Sequence, residues 1–277
     1  MKSPLLRSLI AIALCVSGTL NVSAASQAEP QVEKLAAAVP VLHMLSTELL
    51  KDTGIESVYL PPKRLPISRI GNWLQKKSAD TIRTKGPFSV LVTMESVWPA
   101  DALYTRLRED NIRVVAIDAA RELLPGGARI RLAEGDIKQQ RYFWLAPDNL
   151  TVMSQIMARD MEKLWPQQAE TLRRNQRAMQ QTIQRYALKL DQLLMDSEID
   201  SLCLKEPALA PLAQSTFLLV DSAGSCSEDA LILSRGSIKK ASEANHWRID
   251  TAVKPVKGGL KSWLDTNLKQ LQVAVAD

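Results

Sequence analysis

The sequence is poor in the side chains that most enzymes and metal centres use. Its 277 residues include only two histidines, His43 and His246, and three cysteines. It contains no Cys-x-x-Cys pair, His-Glu-x-x-His segment, Gly-x-Ser-x-Gly segment or phosphate-binding glycine loop, and the glycine pair in "PGGAR" is typical of a turn. These absences argue against the common hydrolases, metalloproteases and nucleotide-binding enzymes, and the sequence predicts a protein that is not an enzyme.

A strong excess of charge of one sign is also missing. The formal net charge is +5, of which Lys2 and Arg7 supply two, so the rest of the chain carries +3. This balance is too mild to indicate a nucleic-acid partner. Beyond the first two dozen residues, no run of about 18 consecutive apolar residues occurs. We therefore expect a soluble mature protein.

The amino-terminal segment has the anatomy of a cleavable export signal. Its two positive charges are followed by an apolar run from Leu9 to Val16 and then by small residues as far as Ala24. Leu14 precedes Cys15, whereas lipid attachment requires a small residue at that position. We expect residues 1–24 to be removed and the mature protein to be released into an oxidising compartment.

Two cysteines remain after this signal, Cys203 and Cys226. In an exported protein an even pair of cysteines is typical of a disulfide bond. A thiolate metal site is the alternative, although no Cys-x-x-Cys pair or nearby histidine supports it. The sequence therefore predicts a disulfide within the second half of the chain.

Short apolar runs bounded by proline, glycine or aspartate alternate with stretches of helical spacing in the first half of the chain. The runs "SVYLPP", "FSVLVTM" and "RVVAID" are typical of buried strands, and Leu42, Leu45 and Leu49 recur at helical spacing. After Asp196 the alternation returns with "SLCLKEP", "TFLLVDS", "DALILSR" and "HWRIDTAV", before an amphipathic closing helix. Alternating strands and helices predict parallel sheets covered by helices.

A long helical region separates these two halves. Met153, Met157 and Met161 keep helical spacing after Pro147, and a second helix restarts after Pro166, which the first turn of a helix tolerates. A methionine stripe can form a soft copper-binding surface, but regular helical spacing is more typical of core packing.

The chain is thus predicted to form an α/β protein of two lobes, each with a small parallel sheet, joined by a long rigid helix. The predicted boundaries are an amino-terminal lobe over 25–147, a helical spine over 148–196 and a carboxyl-terminal lobe over 197–277.

This order of elements, together with several local strings, resembles the periplasmic metal-binding proteins of ABC importers, which capture zinc, manganese or iron between two lobes. The string "YFWLAPDNL" is similar to that family's H-x-W-L-x-P-x-N, and "ESVWPADALYTRLREDN" and "WRID" followed by "WLDTNLKQL" also agree in order and spacing. The resemblance implies a monomeric solute-binding protein of the helical-backbone metal-receptor type, working with an inner-membrane ABC permease.

The resemblance implies four ligand positions in the cleft between the lobes. The family's two histidine positions fall on Ile67 and Tyr142, and its glutamate-or-histidine and aspartate positions fall on Glu206 and Asp250. Isoleucine offers no donor atom, and tyrosine binds a metal only as a phenolate, a donor suited to ferric iron. Tyr142, Glu206 and Asp250 are therefore the metal-ligand candidates that the resemblance implies.

Basic and aromatic side chains stand around the positions where the family has histidines. Lys63, Arg64 and Arg69 lie near Ile67, and Trp144 follows Tyr142 closely. Arginine binds carboxylate and phosphate oxygens, and aromatic faces suit a flat ligand. One interpretation is that Lys63, Arg64, Arg69 and Trp144 bind an anionic metal chelate such as an iron–siderophore complex. The other is an ordinary solvated loop and a core tryptophan.

Two functions remain open at this point. The first is capture of a metal ion (zinc, manganese or iron) or a metal chelate as cargo, with delivery to a permease and no resident cofactor. The alternative is a degenerate paralogue that binds no free metal and docks to another periplasmic binding protein, a receptor or the permease.

Overall fold

The structure is a computed structural model, and it describes residues 32–132, 142–222, 224–236 and 245–276. The predicted export signal lies outside the described residues. No helix among these residues is long and apolar enough to cross a membrane.

The first lobe is built on a parallel sheet with strand order β2-β1-β3-β4. Pairing in register aligns Leu35 with Ser57 on one side and with Val90 on the other. The helices and strands of this lobe are β1 (Lys34–Ala37), α1 (Pro40–Leu49), β2 (Glu56–Tyr59), α2 (Ile70–Lys77), α3 (Ala79–Lys85), β3 (Val90–Thr93), α4 (Leu103–Asp110) and β4 (Val115–Asp118).

Two consecutive helices follow the first lobe, α5 (Pro147–Leu164) and α6 (Ala169–Asp196). Pro147 occupies the first turn of α5, where the missing N–H costs no helical hydrogen bond. The predicted helical stripe is confirmed, because Met153, Met157 and Met161 are fully buried in the core. Helix α6 runs for 28 residues and contacts α1 of the first lobe and the closing helix of the second.

The second lobe repeats the parallel arrangement with strand order β6-β5-β7-β8. Its central strands β5 and β7 contribute Leu202, Leu231 and Leu233 to the core, all fully buried. The helices and strands of this lobe are β5 (Ser201–Leu204), α7 (Ala210–Ala213), β6 (Leu219–Ser222), β7 (Leu231–Arg235), β8 (His246–Ile249) and α8 (Gly259–Ala274). The predicted fold class, two parallel sheets joined by a long helix, is confirmed.

The predicted disulfide is present. Cys203 lies in β5 and Cys226 in the loop after β6, with their Cα atoms 5.4 Å apart. The bond ties that loop to a buried strand of the second lobe.

Candidate functional site at the junction of the lobes

Four aromatic side chains fill the junction between the two lobes. Trp98 comes from the loop after β3, and Tyr142, Phe143 and Trp144 precede α5. The Trp98 ring centroid lies 5.3 Å from that of Trp144 and 6.4 Å from that of Tyr142. All four side chains are at most 6% exposed. Packing of these aromatic rings therefore fills the junction next to the amino-terminal end of α5.

Hydrogen bonds from this aromatic segment reach into the second lobe. The indole N–H of Trp144 donates to the carbonyl of Thr251 at 3.0 Å, and the backbone N–H of Tyr142 donates to the carbonyl of Ala208 at 3.0 Å. Trp144 is fully buried. Its position agrees with the core interpretation of this tryptophan.

Tyr142 and Glu206 are brought together by Arg235, the last residue of β7. The guanidinium of Arg235 donates to the Tyr142 hydroxyl at 2.9 Å and lies 3.0 Å from Oε2 of Glu206. The side chains of Arg235 and Glu206 are 48% and 33% exposed. The geometry arises because β5 and β7 are neighbouring parallel strands, so residues at or just beyond their carboxyl ends lie side by side.

Asp250 follows β8 and is held mainly through its backbone. Its N–H donates to Oδ1 of Asn267 at 2.9 Å, and its carbonyl accepts from Trp263 and Asn267. The carboxylate accepts the N–H of Ala252 at 2.9 Å, and partial burial raises the pKa of Asp250 despite that hydrogen bond. The Asp250 carboxylate therefore belongs to a local turn.

The two carboxylates that the sequence singled out are separated by a strand. Strand β7 lies between β5 and β8, and neighbouring strands are about 4.8 Å apart. The chain segments that carry Glu206 and Asp250 are therefore about 10 Å apart, and Arg235 lies between them. Within the described ranges, no group of three or more histidine, cysteine, aspartate or glutamate side chains lies close enough together to hold a metal ion.

The basic loop after β2 lies on the surface. Lys63, Arg64 and Arg69 are exposed, whereas Ile67 is buried in a short helical turn that follows Pro66. Lys63 nevertheless affects the ionisation of His43. Burial lowers the pKa of His43, and the positive charges of Lys85 and Lys63 lower it further.

His43 is a neutral, hydrogen-bonded residue of helix α1. Its Nδ1 lies 2.9 Å from the Ser57 hydroxyl, and its ring lies 5.6 Å from that of Tyr59. Burial first, then the charges of Lys85 and Lys63, lower its pKa to about 4. The positive charges of Lys85 and Lys63 act on this imidazole, so its surroundings disfavour a metal cation.

Asp101 is a buried acid that sequence reasoning missed. Its Oδ2 accepts the N–H of Met94 and the hydroxyl of Thr93, each at 3.0 Å, at the carboxyl end of β3. Burial raises its pKa to about 8; the two hydrogen bonds oppose the shift, and the carboxylates of Glu95 and Asp118 add to it.

Sequence reasoning also missed Arg235, although the sequence contains a signal for this residue. It ends the predicted strand "DALILSR", and the predicted strand "SLCLKEP" places Glu206 at the corresponding end. The sequence does not tell which strands are neighbours, and that pairing decides which side chains meet.

Comparison of the sequence with protein-family models and with curated proteins gives no match. Comparison with solved structures does. FpvC from Pseudomonas aeruginosa in complex with Mn²⁺ has a TM-score of 0.61 and 14% identity, over 88% of this chain and 97% of that chain. The Zn(II)-bound ZnuA-like domain of Streptococcus pneumoniae AdcA has a TM-score of 0.61 and 14% identity, over 87% and 97%. A crystal structure of ZnuA has a TM-score of 0.58 and 12% identity, over 88% and 98%. Identities this low show a shared fold alone, and the chain has the ZnuA-like two-lobed α/β fold.

Proposed function

We propose that the protein is the periplasmic solute-binding component of an ABC-type metal uptake system, and not an enzyme. It captures a metal ion or metal chelate between its lobes and delivers it to an inner-membrane permease. The observation that carries the proposal is the fold, two parallel sheets joined by long helices, which is shared with the Mn²⁺-bound FpvC and the Zn(II)-bound AdcA domain. The long helical connection favours release of cargo through small shifts of the lobes.

The proposed cargo is a chelated metal, such as an iron–siderophore complex, in preference to a bare ion. Tyr142 and Glu206 both contact the positively charged guanidinium of Arg235. A bare cation between the same two oxygens would have to displace this guanidinium. A chelate brings its own ligands and needs neither oxygen.

A second candidate function is docking without free-metal binding. In this role the protein would be a degenerate paralogue that forms a complex with another periplasmic binding protein, a receptor or the permease. The same contacts of Arg235 favour it, because they occupy two of the candidate metal ligands.

Metal analysis of protein purified without chelator, followed by calorimetric titration with zinc, manganese and ferric ions, tests the cargo. We expect weak binding of free zinc, with Glu206→Ala or Asp250→Ala reducing what binding there is. The matched control is Glu228→Ala, which removes an exposed carboxylate from the loop after β6. Tight stoichiometric zinc binding that survives both substitutions would overturn the assignment of these carboxylates.

A thermal-shift screen with ferric chelates then separates the two candidate functions. A ligand that binds only the folded protein raises the melting temperature, and a hundredfold excess over its dissociation constant stabilises by about 2.7 kcal/mol. A clear shift with a chelate supports the uptake function. No shift with any chelate, together with a stoichiometric complex with the permease, favours docking.

A further inference from the structure

We propose that Arg235 is an anion-recognition residue for a carboxylate-bearing ligand, and that Glu206 occupies it as an internal carboxylate until such a ligand exchanges for it. The inference rests on the proposed function, since it names the chemistry by which the junction would recognise its cargo.

The guanidinium of Arg235 is held in a fixed orientation before any ligand arrives. It donates to the Tyr142 hydroxyl, and Tyr142 is fixed in turn by ring contacts with Trp98 and Trp144. The backbone N–H of Tyr142 donates to the carbonyl of Ala208, so the backbone of this residue is anchored to the second lobe. A guanidinium whose position is already set loses little conformational entropy when it binds an anion.

Glu206 is an exchangeable partner for this guanidinium. Its side chain and that of Arg235 are one-third to one-half exposed, and ion pairs of such exposure contribute little to stability. Glu206 lies between the end of β5 and the helical turn Pro207–Leu209, in an extended conformation with φ −137° and ψ 125°. The side chain can therefore leave Arg235 by changing rotamer, without unwinding a helix or breaking a sheet.

The chemistry of the guanidinium selects the ligand class. Arg235 carries more N–H donors than the two contacts to Tyr142 and Glu206 use. Its planar fork matches the two oxygens of a carboxylate, the group that Glu206 already presents to it. A polycarboxylate, or the metal chelate of one, can therefore take the place of Glu206 while the hydrogen bond to Tyr142 is kept.

The test uses calorimetric titration of the mature protein with citrate and, separately, with ferric citrate. We expect Glu206→Gln to tighten citrate binding about fivefold, because the neutral amide competes less well for the guanidinium. We expect Arg235→Gln to weaken binding at least tenfold. Arg235→Lys keeps the charge but lacks the planar fork, so we expect it to weaken binding as well.

The opposite signs of the two effects are the readout that a structural role would not produce. If the ion pair only stabilises the fold, Glu206→Gln and Arg235→Gln change binding in the same direction and lower the urea midpoint together, which would overturn the inference. Absence of citrate binding in both the natural protein and Glu206→Gln would also overturn it. Binding of ferric citrate that neither substitution changes overturns the inference while supporting the uptake function.

Discussion

Replacement of Asp101 by asparagine isolates the effect that ionisation of one buried carboxyl group has on stability. Asp101 is fully buried, and only its Oδ2 accepts hydrogen bonds, from Met94 and Thr93. Asparagine has the same shape and retains one oxygen that can accept both hydrogen bonds. The amide does not titrate, so Asp101→Asn removes the ionisation while it keeps the packing and both contacts.

The expected effect follows from the pKa of Asp101, which is about 8 in the folded protein and near ~4 in an unfolded chain. At pH values between ~4 and 8, Asp101 is protonated in the folded state and ionised in the unfolded state. The stabilising contribution is therefore complete below pH ~4 and is lost as the pH rises through 8.

His43 acts in the opposite direction over the lower part of this range. Its folded pKa is about 4, below its usual ~6.5, so the unfolded state binds more protons and stability rises with pH until His43 is neutral in both states. Above pH ~6.5 the remaining offset from His43 is small, and it is the same in the natural protein and in Asp101→Asn. At about 1.4 kcal/mol per pH unit, the loss from pH 6.5 to 8 is about 2 kcal/mol.

Urea unfolding followed by tryptophan fluorescence at pH 6.5 and 8 measures this loss. We expect the natural protein to lose about 2 kcal/mol more than Asp101→Asn over that interval, whereas Asp229→Asn, at an exposed loop carboxylate, behaves as the natural protein does. Equal losses in the natural protein and in Asp101→Asn would refute the assignment of a protonated, buried Asp101.

Two further variants test contacts that hold the second lobe and the junction. Replacing Cys203 and Cys226 together by alanine removes a bond between residues with a sequence separation of 23, and we expect a loss of about 3 kcal/mol in the free energy of urea unfolding. A loss below about 1 kcal/mol would contradict this expectation. Asn149→Ala removes hydrogen bonds to the backbone N–H and carbonyl of Arg131 and to the carbonyl of Phe143. Because Asn149 is 3% exposed, we expect a loss of about 2 kcal/mol in the same measurement, and an unchanged midpoint would show that water replaces these contacts.

The sequence alone predicted the elements whose signals are local. Apolar runs and helical spacing indicated two sets of strands around two long helices, and the fully buried Met153, Met157 and Met161 confirm the stripe that defines α5. The pairing of Cys203 with Cys226 also followed, because only two cysteines remain after the predicted signal. In each case the signal lies in residue types and short spacings, which do not depend on how the rest of the chain folds.

Tertiary structure decided the chemistry of the junction. Tyr142 suggested a metal phenolate from its position in the string, yet its hydroxyl accepts a hydrogen bond from Arg235, 93 residues further along the chain. That contact exists because the β6-β5-β7-β8 order sets β7 beside β5, an arrangement that no local pattern encodes. Burial likewise changed the ionisation of Asp101. Residue periodicity thus determined which segments form helices and which form strands. Strand order and burial determined which side chains are in contact and which of them are protonated.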